Sequence, residues 1–492
     1  MTVEYIGLCL IAAAVLVLHY GAFRVGVWMF QLHSYKPDVH RKWLKKHPLY
    51  FFRRVKNAKK PLVWTPRVYR LAVSYFLILL IAGTVLWIFT RPGIAIVAGV
   101  LLLLLPTLLF ANFVNKPIES AINRRYVAEA KTLIADAKSS GLKVIGVTGS
   151  YGKTGVKFYI EKLLSTRYNV LATPESYNTT LGVVRTIRER LRGSHEYFIV
   201  EMGARNRGDI REICEIVKPD YAVITAIGEA HLESFKTIET IAETKFELVD
   251  ALDPKTGIAF LNWDNDHIRK EAKRTPSNLR FVKYAAENNA ADFSAISIRL
   301  SERGSTFRVR GVNFETKLIG RHNILNLTAA IAVASSMGIP TEQLPTVVRR
   351  VESVPHRLQL IPSGDSLIID DAYNSNPDGA VAALETLSAF KSHYKILITP
   401  GMVELGEHEF SANLNFGRKA ATVCDFVILI GAERTKPLAA GLRAEGLSPD
   451  RVRTMESVTD AISFALAYQS GNPNAILIEN DLPDNYTIPE RR

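Results

Sequence analysis

The run Lys143-Val-Ile-Gly-Val-Thr-Gly-Ser-Tyr-Gly-Lys-Thr154 could grip a phosphate. Its apolar start, residues 144–147, reads as a buried strand. Gly149, Ser150, Tyr151 and Gly152 then make a tight turn, and Lys153 and Thr154 open a helix-compatible stretch. A strand–turn–helix unit of this kind gathers backbone N–H groups, a helix N-terminus and an ammonium around one point, which suits a nucleotide phosphate. The Thr154 hydroxyl can hold Mg²⁺. A standard phosphate loop has a Gly five residues before its Gly-Lys pair; Val147 stands there, so the pattern is a variant. A plain Gly-rich turn with a surface lysine would not need strand, glycines, Lys and Thr in this order. The chain is expected to consume a nucleoside triphosphate.

Glu201, His231 and Lys245 are the next residues that could do chemistry. Glu201 follows the apolar run 197–200, and His231 follows the run 221–225. A carboxylate after one strand and an imidazole after another can share a metal at a sheet edge. Mg²⁺ prefers oxygen, so a histidine ligand would be unusual. Alone, His231 would read as a hydrogen-bonded loop residue; a strand end beside a phosphate loop favours the metal.

The elements that must position these residues are strands alternating with helices from Val144 onward, the pattern of an α/β domain with a mostly parallel sheet. Ligands of such sheets gather at the carboxyl ends of the strands. Residues 292–319 alternate with period two and predict a small antiparallel insertion. A second α/β unit begins near Arg357, with strands at 367–369, 395–398, 426–430 and 475–478. Cys9, Cys214 and Cys424 lack metal-ligand spacing, and their odd number argues against a disulfide framework.

The first quarter of the chain reads differently. Residues 3–22, 71–90 and 94–114 are apolar runs long enough to cross a bilayer. No Lys or Arg precedes the first run and two more follow, so a cleaved signal peptide is not expected. Arg91-Pro92-Gly93 predicts a tight turn joining the second and third spans. Residues 24–70 hold thirteen Lys or Arg against one acid, Asp38, and so account for nearly all of the chain's net +13. The basic balance is local and does not indicate nucleic-acid binding. The positive-inside rule places this loop in the cytoplasm, the N-terminus outside and everything after Val114 in the cytoplasm. Trp43, Tyr50, Phe51, Phe52 and Trp64 interleave with its charges, so the loop either rests on anionic lipid or serves only to set topology.

As a set, the motifs resemble the Mur ligase family, nearest to its D-alanyl-D-alanine-adding branch, over about residues 144–478. The residues that carry the resemblance are Gly149-Ser-Tyr-Gly-Lys-Thr154, Tyr177-Asn-Thr-Thr-Leu-Gly182, Glu201-Met-Gly203 and Ala230-His-Leu-Glu-Ser-Phe235. Glu243-Thr-Lys-Phe-Glu247, Gly320-Arg-His-Asn-Ile-Leu-Asn326, Arg357, Asp370-Asp-Ala-Tyr-Asn-Ser-Asn-Pro377 and Met402-Val-Glu-Leu-Gly406 complete it. The resemblance implies an α/β fold: a phosphate-loop central domain at 117–355 and a Rossmann-like ligase domain at 356–492; the apolar runs place a membrane module with three transmembrane helices before them, at 1–116.

It also implies an ATP-dependent carboxylate–amine ligase working through an acyl phosphate. Lys153 with the loop residues Gly149, Ser150 and Gly152 would face the ATP phosphates. Thr154 and Glu201 would hold one Mg²⁺, and His231 with a carbamoylated Lys245 a second. Asn323 and Asn326 would face the adenine, Arg357 would reach the phosphates, and Asp371 would contact the ribose or that arginine. Asn178, Tyr373, Asn374, Asn376 and Glu404 are expected on the substrate side. The implied partners are a UDP-linked or lipid-linked muropeptide and an amine such as D-Ala-D-Ala.

The chain departs from the family pattern at four places. The membrane module stands where the family binds its uridine nucleotide. Pro400-Gly401-Met402 replaces Gly-Asp-Met, Asn413 replaces a His, and Glu479-Asn-Asp481 replaces Lys-Gly-Ser. Two other readings remain open from the sequence. One is a polyglutamate or folylpolyglutamate-type ligase; the other is a membrane NTPase switch without ligase chemistry, for which Lys245 and the His231 motif would have no use.

Overall fold

The computed structural model describes residues 2–46, 60–89, 107–175, 177–229, 232–275, 278–373 and 375–482. They fall into two compact units: the described residues up to Arg125 together with Leu482, and those from Tyr126 to Asp481.

Among the described residues of the first unit, the helices Thr2–Leu32, Pro37–Lys46 and Pro66–Phe89 precede the start of the Thr107–Ser139 helix. Among the described residues, two segments are long and apolar enough to cross a membrane, Ala13–Leu32 and Pro66–Val85. Among the described residues this gives two spans where three were expected. Residues 94–106 of the expected third span lie outside the described residues, as does the Arg91-Pro92-Gly93 turn. From Thr107 the chain is one helix to Ser139, with Pro117 inside it. Phe23, Val27 and Phe30 pack against Val68, Leu71 and Tyr75 with Leu108 and Ala111 in one small core. The Gln31 amide exchanges two 3.0 Å bonds with the Val63 backbone. Arg70 forks onto Glu119 at 2.6 and 3.0 Å.

The second unit holds three sheets. The first uses β1 (Lys143–Thr148), β2 (Val170–Ala172), β3 (Tyr197–Glu201), β4 (Tyr221–Ile224), β5 (Ile258–Asn262), β6 (Arg280–Ala285) and β7 (Phe293–Ser294). Their order is β2-β3-β1-β4-β5-β6-β7, and every pairing is parallel. β1, β3, β4 and β5 are buried after their first residue, which is why they read as unbroken apolar runs. Ile145 and Val147 face a core with the Lys153–Leu164 and Arg321–Ser336 helices. Val144 faces a second core with the Thr180–Arg190, Asp209–Val217 and Ile238–Asp250 helices. Gly146 lets the last of these close in, because a Cβ there would meet Leu248 at 2.5 Å.

The expected antiparallel insertion is present as β8 (Ile296–Ser301), β9 (Gly304–Val309) and β10 (Val312–Thr316). Phe307 and Phe314 stack on its inner face, with ring centroids 5.3 Å apart, and join the first core. The third sheet uses β11 (Gln359–Ser363), β12 (Ser366–Asp371), β13 (Tyr394–Thr399), β14 (Phe426–Ile430), β15 (Val452–Met455) and β16 (Asn474–Glu479). Its order is β11-β12-β16-β13-β14-β15, parallel except for the edge strand β11. β16 lies between β12 and β13, so the carboxyl ends of these three strands meet at one edge.

Candidate active site

Thr148 ends β1, and the loop 149–152 turns directly into the Lys153–Leu164 helix. Gly152 makes the turn at φ +81°, a conformation that L side chains rarely adopt. The loop is held from below. Ser150 N donates to Ala226 O at 2.7 Å. Ser150 Oγ donates to Gly228 O at 2.9 Å and accepts from Gly228 N at 3.1 Å. The Thr225 hydroxyl donates to Tyr151 O. Lys153 folds back so that Nζ donates to Gly149 O at 2.7 Å and Ser150 O at 3.1 Å. Burial pulls its pKa down to about 8, Glu201 opposes that fall, and Arg357 adds to it.

Glu201, at the end of β3, is the centre of the site and is 1% exposed. Its Oε1 accepts from Thr154 Oγ1 at 3.2 Å and from Asn178 Nδ2 at 3.0 Å. Its Oε2 lies 3.1 Å from Lys157 Nζ and is buried without a directed hydrogen bond. Its backbone N–H donates to Thr173 Oγ1 at 3.0 Å. The glycine of the Glu-Met-Gly run has a physical reason. Asn178 O accepts from Gly203 N at 2.7 Å, and a Cβ on Gly203 would lie 2.9 Å from the Asn178 amide.

This arrangement fits a divalent cation. A hydroxyl and a carboxylate converge at the mouth of a phosphate-type loop, and one buried carboxylate oxygen lacks a donor. Mg²⁺ is commonly held by one or two carboxylates with phosphate oxygens supplying the rest. Among the described residues, no group of three His, Cys, Asp or Glu side chains could hold a metal.

Lys245, on the Ile238–Asp250 helix, is 3% exposed, with its ammonium 6.0 Å from the Phe235 ring centroid. Burial lowers its pKa to about 7; Lys153 pushes the same way, and Asp209 and Glu247 oppose. His231, its expected partner, lies outside the described residues, as does Asn374.

The other expected residues separate into two groups. Asn326 sits against the loop, since a Cβ on Gly152 would be 2.9 Å from its Oδ1. Asn323 is turned inward: its Oδ1 accepts from Tyr159 OH and its Nδ2 donates to Ile319 O, each at 2.9 Å. Arg357 stacks 4.0 Å above the centroid of the half-exposed Tyr373 ring. Asp371 accepts from Leu358 N at 3.1 Å; burial raises its pKa to about 6 while Arg357 restrains the rise. Asn376 spends its side chain on capping the Pro377–Ser388 helix, accepting from Gly379 N at 2.9 Å. Glu404 is in the left-handed region at φ +66° and reaches Arg205 of the central domain at 3.7 Å.

Lys157 was not anticipated. Its signal was legible: it stands one helical turn after Lys153 and so shares its face. The three motif departures of the last domain converge on the shared edge of β12, β16 and β13. Glu479 accepts from the Ser375 hydroxyl and from Thr399 Oγ1, the latter at 2.9 Å. Asn480 Nδ2 donates to Gly401 O at 2.7 Å, and Asn413 bonds both Met402 N and Met402 O.

Comparison with known proteins agrees with this architecture. The Mur ligase middle domain matches residues 147–334, and the Mur ligase glutamate ligase domain matches residues 356–479. The UDP-N-acetylmuramoyl-tripeptide–D-alanyl-D-alanine ligase of Mycobacterium tuberculosis is 33% identical over 321 residues, 62% of each chain. The ligase of the same name from Synechocystis is 32% identical over 328 residues, 66% of this chain and 69% of that one. The crystal structure of MurF from Acinetobacter baumannii superposes with a TM-score of 0.63 at 26% identity, covering 72% of this chain and 77% of that one. MurF from Thermotoga maritima, solved in complex with ADP, gives 0.62 at 25%, covering 73% and 81%. The chain thus spans a little under two thirds of the length of the mycobacterial relative. Two consecutive domains of one family, matched in order, and a relative covered over 69% of its length place the chain in the Mur ligase family.

Proposed function

We propose that this protein is a membrane-anchored, ATP-dependent amide ligase that activates a cell-wall precursor carboxylate as an acyl phosphate. The observation that best supports this reading is the convergence of Thr154, Asn178 and Lys157 on buried Glu201 at the mouth of the phosphate loop. The named relatives join D-alanyl-D-alanine to UDP-N-acetylmuramoyl-tripeptide, and the same pair is the first substrate reading here.

In this reading Lys153 and the loop residues Gly149, Ser150 and Gly152 face the ATP phosphates. Asn326 lies on the adenine side, and Asn323 fixes the helix that carries it. Thr154 and Glu201 would hold one Mg²⁺, and His231 with Lys245 would hold a second. Bound Mg²⁺ supplies positive charge against the transferring phosphoryl group. Lys245 takes part as a carbamate, formed when its neutral amine adds CO₂ and releases a proton; its lowered pKa favours that neutral amine. The γ-phosphoryl passes to the carboxylate oxygen and ADP leaves. The amine nitrogen then bonds to the acyl carbon and sheds a proton, and the acyl C–O bond to phosphate breaks. Arg357, oriented by Asp371, brings charge from the last domain. Asn178, Tyr373, Asn374, Asn376 and Glu404 line the substrate side, with Asn376 acting through its helix cap.

Residues 1–116 form the anchor, with spans near 3–22, 71–90 and 94–114, an outer N-terminus and catalytic domains at 117–355 and 356–492 in the cytoplasm. Two described apolar helices and the basic segment between them support this topology. Because the module stands where the family binds its uridine nucleotide, a lipid-linked muropeptide held at the membrane surface is the second substrate reading.

The test is ADP release by full-length protein in detergent with D-Ala-D-Ala and either UDP-MurNAc-tripeptide or its undecaprenyl-linked form. Turnover that needs both acceptor and amine is expected. ADP release with neither would indicate a switch and overturn the ligase reading.

A further inference from the structure

Tyr151 occupies the tip of the phosphate loop, yet its side chain serves the other domain. Its ring stands beside Asp378, in the first turn of the Pro377–Ser388 helix, where the two side chains meet at Gly228. Burial first, and then the Asp378 charge, hold the phenol protonated well above its usual range, so it offers that carboxylate a proton donor. The contact is built closely. Gly228 lies beneath it, and a Cβ there would come within 2.7 Å of Asp378 Oδ2 and 2.8 Å of the Tyr151 ring. Gly228 is also the residue that exchanges two hydrogen bonds with Ser150 of the same loop. One glycine therefore underlies both the loop's floor and its link to the last domain.

We propose that Tyr151 and Asp378 are a positioning pair that sets the phosphate loop against the ligase domain, so that nucleotide affinity depends on where that domain sits. This rests on the nucleotide-binding reading of the loop. The physical basis is preorganisation: a loop already pinned loses less freedom when it closes on phosphate. Coupling of this kind is reciprocal, so bound nucleotide also biases the ligase domain toward the arrangement that makes the bond.

The experiment is calorimetric ADP binding, with Mg²⁺, to full-length protein in detergent. The variants are Tyr151→Phe, Asp378→Ala, Asp378→Asn and the Tyr151→Phe/Asp378→Ala double. Each of the first two should raise Kd about tenfold, and the double no further, because both remove the same contact. Asp378→Asn keeps an acceptor oxygen and should stay within about threefold of the unaltered protein. Additive losses, an unchanged Kd in Tyr151→Phe, or Asp378→Asn as weak as Asp378→Ala would overturn the pair. Failure of the unaltered protein to bind ADP would overturn the nucleotide reading and the pair with it, whereas binding that ignores the variants removes the pair alone.

Discussion

Lys157 Nζ lies 3.1 Å from Glu201 Oε2, and both side chains are buried. The ammonium therefore stands against the carboxylate oxygen that a divalent cation would use. A buried carboxylate without compensation is costly, so the lysine offsets Glu201 before a cation arrives.

Lys157→Met should destabilise the protein by about 3–5 kcal/mol, the usual cost of breaking a buried pair from one side. Mg²⁺ should then restore more of the loss than it adds to the unaltered protein, since it meets an uncompensated Glu201. Melting midpoints with and without Mg²⁺ check this. An equal Mg²⁺ increment in both proteins would remove Lys157 from the cation site.

Gly203→Ala should displace Asn178, whose amide would lie 2.9 Å from the new methyl group. Turnover should fall by about tenfold or more, the size expected when a positioning contact to a reacting centre is lost. Steady-state kinetics read the effect. Unchanged turnover would mean that the Asn178–Glu201 bond has no part in the reaction.

Lys245→Ala should lose most activity, and added bicarbonate should not restore it, because no amine remains to be carbamoylated. In the unaltered protein the amine gains its neutral form as pH rises through about 7. The carbamate signal in ¹³C NMR with labelled bicarbonate should therefore grow over that range and be missing in the variant. A fully active Lys245→Ala enzyme would end the second-metal argument.

Glu479 carries a pH prediction for stability. Burial raises its pKa from 4.5 to about 7, Asp371 adds to the rise, and the Ser375 and Thr399 hydroxyls oppose it. Between these two values the folded chain binds more protons than the unfolded one, so this group's contribution is full below about 4.5 and is lost as pH rises through about 7. Glu479→Gln should thus melt higher than the unaltered protein at pH 8, with the gap closing toward pH 5. A gap independent of pH would show that Glu479 is already charged in the fold.

The sequence alone determined the elements that depend on local order. Strand, turn, Lys and Thr must be consecutive to bring amides and an ammonium to one phosphate, so the loop at 149–154 was legible residue by residue. Unbroken apolar runs announced the two-sided burial of β1 and β3, and period-two alternation announced the insertion around β9. Two of the apolar runs near the N-terminus were legible as helices long and apolar enough to cross a membrane. Tertiary structure decided what depends on chains meeting from a distance. Lys157 closing on Glu201, Asn178 passing over Gly203, and Tyr151 reaching Asp378 join residues 25 to 227 positions apart. It also decided how polar side chains divide between the site and the frame. Asn323 and Asn376 sit in site-like motifs, yet one satisfies a buried tyrosine and the other a helix end. Buried polar groups must be paired, and only the folded geometry shows which partner is within reach.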